Sequence, residues 1–218
     1  NSELTNSTQV PQGITVLKST FDLNGYSGLS IDTMRKITLT SINASENNYR
    51  GVWADNSASA VASAIVVSGT NRINHNGRSG PYHGIALNST GPVTVSGITA
   101  AWNPVDGVYV YTASSVTASN IQVIGNSYNG AEFYGNGLMT LTGITALQNG
   151  TNLNYSGVYV NNSTGKVRVN SGLILGNGAY GLWINVANTD TDAYVAPGVV
   201  VFGNDVKDPY EGFQIYIN

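Results

Sequence analysis

His83 is the residue in this chain best suited to moving a proton. An imidazole changes charge between about pH 5 and 8 and can act as general acid or general base. It sits in a series. The residue just before a recurring glycine reads Ser27, Arg50, His83, Asp106, Asn129, Ser156, Tyr180 and Glu211. If the repeats stack, Arg50, His83 and Asp106 stand on consecutive turns of chain, ~4.8 Å apart. Glu132, three residues after Asn129, falls on the neighbouring outward column. A histidine flanked by an acid and an arginine could serve as acid or base at a bound substrate. The same residues also read as a solvated, charge-balanced surface. The remaining acids are dispersed, which argues against a carboxylate cluster of the kind that cleaves polysaccharides.

Binding is the other chemistry on offer. Trp53, Tyr109, Tyr159 and Trp183 fall in one outward column, and Tyr111, Tyr134 and Tyr216 in the next but one. Exposed aromatics on a rigid sheet can stack on sugar rings or anchor a protein partner. Ser30, Ala86, Glu132 and Gln214 interrupt the first column. That favours an interface or scattered packing over one sugar groove. The segment 188–192 alternates oxygen ligands, with Asp190 and Asp192 as Ca²⁺ candidates, but it lacks the glycine and distal glutamate of an EF-hand loop. An acidic surface loop without metal is expected there, and no cofactor.

These residues are positioned by a repeat. An Asn, a Tyr and a Gly return together as 24–28, 47–51, 82–84, 128–130, 154–157 and 210–212. Alternating strands open at Ile14, Ile37, Ile65, Val93, Val116, Met139, Val167 and Val195, in steps of 23 or 28 residues. A fixed signature at such a period marks a solenoid. Ten residues after the opening comes Asn24, Asn47, Asn103, Asn126, Asn149 or Asn177; Asn76 and Asn204 are displaced by one. After the glycine a second strand alternates again, as in Val108/Val110 and, in the last coil, Phe213/Ile215. A third short strand fits between opening strand and Asn, as in Ile98–Ala100. Period-two alternation bounded by Gly and Asn predicts half-buried strands. The result is an all-β chain of about eight coils of 23 or 28 residues, three strands per coil. The asparagines predict a ladder of amides at a corner, tolerant of left-handed backbone, and the tyrosines a stacked column.

Residues 1–13 read as an N-terminal extension or cap and 14–218 as the solenoid. The final strand, with Phe213, Ile215 and Tyr216, reads as a bare apolar edge, which predicts head-to-tail self-association or a surface partner. The chain has 218 residues, 10% charged, a net charge of −3 and no cysteine. Scattered basic residues argue against nucleic acid, and no apolar run is long enough to span a membrane. The composition suits a secreted or cell-surface β-protein. Sequons stand at Asn6, Asn43, Asn88, Asn149, Asn154, Asn161 and Asn162.

The whole chain resembles the right-handed parallel β-helix repeat proteins of the pectate-lyase-like superfamily. The resemblance rests on the Asn column and on repeats such as Val93–Ala100 followed by Gly107–Val110. It implies a single-stranded right-handed parallel β-helix. Polysaccharide lyases, glycoside hydrolases, adhesins, tailspikes and surface repeat proteins share that fold, so fold does not choose among them. The expectation is a non-catalytic extracellular structural or adhesive solenoid, self-assembling end to end. The alternative is a carbohydrate-binding or polysaccharide-cleaving module. A third reading comes from Thr38/Thr40, Thr94/Ser96, Thr117/Ser119 and Thr140/Thr142, a hydroxyl array that resembles the face of β-solenoid ice-binding proteins; Val66, Arg168 and Ala196 break its ranks.

Overall fold

The computed structural model describes residues 13–151, 154–204 and 215–218. Most of the expected cap over residues 1–13, the sequon Asn6 and the assembly candidate Phe213 lie outside them.

The described residues form an all-β parallel solenoid of two sheets. The opening strands build one, ten strands in all, and the strands after the glycine build the other, of eight. Pairing runs coil to coil in register, as in Val93↔Val116↔Met139 and Val108↔Ala131↔Val158. Inward side chains therefore stack type on type. Ile37, Ile65, Val93, Val116, Met139 and Val167 make one fully buried column. Where Phe133 fills its coil, its inward neighbour on the strand is the small Ala131.

Three separate strands per coil is a simplification. In four coils the opening and third strands are one nine-residue strand, for example Val93–Ala101 and Met139–Leu147. Gly97, Asn120 and Gly143 lie within such strands with positive φ. One left-handed residue bends the strand while keeping it in a single sheet.

The Asn column is a continuous ladder. Asn126 donates from its backbone N–H and from Nδ2 to Oδ1 of Asn149, at 3.0 and 2.9 Å. Its Nδ2 also donates to the Ala100 carbonyl, at 3.0 Å. Both amide protons are thus used. The same pattern links Asn24 to Asn47, Asn103 to Asn126 and Asn149 to Asn177. Asn76 and Asn204, displaced by one in sequence, join it through Asn47, Asn103 and Asn177. One expectation is corrected. The left-handed residue is not the asparagine but the one before it: Leu23, Glu46, His75, Trp102, Gly125, Gln148, Gly176 and Gly203.

The glycine column follows from this ladder. A Cβ on Gly84, Gly107 or Gly130 would stand 2.6–2.7 Å from the Nδ2 of a ladder asparagine in the next coil. Their φ values are ordinary, so close approach, not backbone freedom, demands glycine. The tyrosine column is broken. Tyr26, Tyr49 and Tyr82 touch edge to face, and Tyr128 and Tyr155 stack at 4.0 Å. Between them the coil carries Pro104–Val105.

The last coil corrects the assumed register. Ala193, not Val195, pairs with Val167, and Ile215, not Phe213, pairs with Leu182. The strand opening that coil ends at Val195, and the turn over Ala196–Gly198 separates it from Val199–Phe202. Tyr216 consequently faces Trp183, in the first aromatic column rather than the next but one. The 188–192 segment is not an extended ligand loop, since Thr189–Asp192 forms a single helical turn. No group of three metal-ligating side chains occurs among the described residues. No described helix is long and apolar enough to cross a membrane.

Candidate functional site

The sheet of post-glycine strands presents a flat outer face. The carbonyls of Arg50, Asp106, Asn129, Ser156 and Tyr180 each accept from the glycine N–H of the preceding coil, as in Gly84 to Asp106 at 2.9 Å. That fixes His83 and Asp106 one above the other. His83 Nδ1 lies 2.9 Å from Asp106 Oδ2, with the carboxyl buried and the imidazole 22% exposed. The ring N–H is turned off the line between them, so the contact is electrostatic rather than an aligned hydrogen bond. His83 also stacks on Tyr109, centroids 4.8 Å apart.

Glu132 completes the group. Its carboxylate folds back to accept from Asn129 Nδ2 at 2.7 Å, while Asn129 Oδ1 accepts from the Ser156 N–H. The side chain thereby leaves the aromatic column and turns toward Asp106. Burial lifts the Glu132 carboxyl above its usual range, the neighbouring Asp106 charge lifts it further, and hydrogen bonds from Tyr134 and Asn129 oppose the rise. Glu132 therefore holds its proton more readily than a solvated carboxyl would. The phenols of Tyr109, Tyr134 and Tyr159 are raised as well, by burial first and then by Glu132. They therefore remain hydrogen-bond donors.

The structure brings His83, Asp106 and Glu132 together and sends Arg50 elsewhere. The Arg50 guanidinium lies over Trp53 at 4.7 Å and over Tyr82 at 5.4 Å, a cation–π arrangement. Its Nε has no hydrogen-bond partner among the described residues, and neither has Asp106 Oδ1. Glu132, expected on the neighbouring outward column, reaches the group by folding back to Asn129.

The aromatic column is also less interrupted than its sequence. Tyr134 bridges the place of Glu132, touching Tyr109 at 6.0 Å and Tyr159 at 5.8 Å. Tyr159 meets Trp183 at 5.1 Å, and Trp183 meets Tyr180 and Tyr216 at 5.3 and 5.7 Å. The rings run unbroken from His83 to Tyr216, across five strand steps. At the end of these strands Tyr111, Tyr134 and Asn161 border a cleft of about 190 Å³.

Other candidates fall differently. Asn149 and Asn162 are buried, and their amides are bonded to Asn177 and to the Gly137 carbonyl. They are not glycan acceptors in the folded chain. Asn43, Asn88 and Asn161 are half-exposed and Asn154 exposed. The hydroxyl ranks are regular over three coils, Thr94↔Thr117↔Thr140 and Ser96↔Ser119↔Thr142, and stop at Val66 and Arg168.

The family described as right handed beta helix region matches residues 3–153 and 83–218. The chain belongs to that family. No curated protein and no solved structure matches it.

Proposed function

We propose that the post-glycine sheet binds an extended polysaccharide outside the cell and that the solenoid serves as an adhesive module. The observation that supports this is the unbroken row of half-exposed rings from Tyr109 to Tyr216 along the axis. Rings at one strand spacing on a stiff sheet offer repeated stacking faces to a polymer lying along the solenoid. The test is retention on insoluble polysaccharides, comparing the chain with Tyr159→Ala and Trp183→Ala. Retention by none of a broad panel, or equal retention of the variants, would sink the reading.

A second reading is favoured by the proton-bearing group at one end of the row. His83 turns Nδ1 to Asp106, which leaves Nε2 for a substrate, and burial makes Glu132 hold its proton more readily than an ordinary carboxyl. Such a pair can take a proton from a bound polymer and return one, as in chain cleavage. Asp106 is engaged by His83 and Glu132 by Asn129, so the two carboxyls are not set to flank a scissile bond, and His83 rather than a carboxylate is the base. New chain ends that vanish with His83→Ala and Glu132→Gln would support cleavage. Binding without new ends leaves the adhesive reading alone.

A further inference from the structure

The ladder corner carries a second recess, separate from the aromatic row. On successive coils the left-handed residue before the ladder asparagine is Glu46, His75, Trp102 and Gly125, and the first three are exposed. Together with Arg78, Pro104 and Ser127 they border a cleft of about 740 Å³. None of these residues takes part in the face described above.

Two glycines shape its floor. A Cβ on Gly125 would collide with the six-membered ring of Trp102, and a Cβ on Gly77 with the Pro104 ring. The indole therefore lies down on the next coil instead of standing away from it, and the proline lies on Gly77. Trp102 still leaves 52% of its surface exposed. A large ring held flat and open to water is a stacking platform. Around it stand a carboxylate, an imidazole, a guanidinium and a hydroxyl. None of the three ionisable groups enters an ion pair among the described residues.

We propose that this cleft is a binding site for a neutral pyranose oligosaccharide, with a sugar ring stacked on Trp102. Sugar hydroxyls both donate and accept. Glu46 supplies an acceptor without protons, Arg78 a donor fork without lone pairs, and His75 and Ser127 either role. The apolar face of a pyranose suits the indole and proline floor. The Glu46 carboxylate offsets the Arg78 guanidinium, so the cleft has no excess of fixed positive charge to select an anionic sugar. The site would add a second contact point to a solenoid whose proposed polymer lies along another face, and it stands whether or not that polymer binds.

The chain has three tryptophans, so a Trp53→Phe/Trp183→Phe variant leaves Trp102 as the sole indole fluorophore. Cellohexaose and maltohexaose titrated into it should give a saturable emission change with at least one of the two. In otherwise unsubstituted protein, Trp102→Ala and Glu46→Gln should each weaken binding of that sugar at least ten-fold by calorimetry. If the double variant does not fold, the indole N–H resonance of Trp102 in the unsubstituted chain gives the same readout. No saturable change at roughly 10 mM sugar, where even millimolar affinity is visible, overturns the proposal. So does tighter binding of oligogalacturonate than of either neutral sugar. Because the titrated variant lacks Trp53 and Trp183, its result is independent of the row of rings on the post-glycine sheet.

Discussion

The Nδ2 of Asn126 occupies space that a Cβ on Gly107 would approach to 2.6 Å. Two columns that look independent in the sequence are therefore one construction. Asn126 is fully buried with both amide protons bonded, so Asn126→Ala strands Oδ1 and N–H partners above and below it. The loss should be on the order of 1–3 kcal/mol. Gly107→Ala should destabilise as well, since the Gly130 carbonyl also stands 2.8 Å from the added atom. The double variant should cost less than the sum, because removing the amide makes room for the methyl. Chemical denaturation of the four proteins checks this, and strict additivity would mean that the contact is not the reason for the glycine.

Phe133 tests the core that the ladder closes. It is wholly buried, with Ala131 as its inward neighbour on the strand. Parallel coils cannot collapse on a void without breaking register. Phe133→Ala should cost about 3–5 kcal/mol. A loss below ~1 kcal/mol would show that the coil repacks.

Much of this architecture was legible in the sequence because identical turns must stack, and stacking forces type on type. The ten-residue interval to Asn126 or Asn149 located the ladder without coordinates. The last coil was misread because Phe213/Ile215 and Ile215/Ile217 alternate equally well, and only pairing with Leu182 and Ile184 decides between them. Asp106 and Glu132 were placed on neighbouring columns, but the way Glu132 folds back was hidden for a different reason. Columns describe Cα positions, while Glu132 leaves its column to reach Asn129. Tyr134 was hidden likewise, since its ring bridges two columns.

The aromatic row makes a graded prediction. Tyr159 touches rings on both sides, Tyr134 and Trp183, whereas Tyr111, 51% exposed, touches only Tyr134 among the described residues. If a polysaccharide lies on the row, Tyr159→Ala or Trp183→Ala should weaken retention roughly ten-fold, as central anchors do. Tyr111→Ala should matter less. Affinity electrophoresis through polysaccharide gels ranks the three, and a larger effect at Tyr111 would move the contact to the neighbouring cleft.

Glu132 gives the pH dependence. Its folded-state affinity for a proton is raised, chiefly by burial and then by Asp106. A carboxyl raised in this way binds more protons folded than unfolded. Its contribution to stability is complete below the ordinary carboxylate range and is lost as pH rises through the raised folded value. Glu132→Gln keeps the shape and removes the charge. The variant should therefore gain in melting temperature relative to the parent near neutral pH and lose that gain near pH 4, the ordinary range for a glutamate (~4.3). Thermal unfolding followed across that interval reads the difference directly. A gain that is the same at both ends would mean that folding does not raise the proton affinity of Glu132, and the acid–base reading of this face would fail with it.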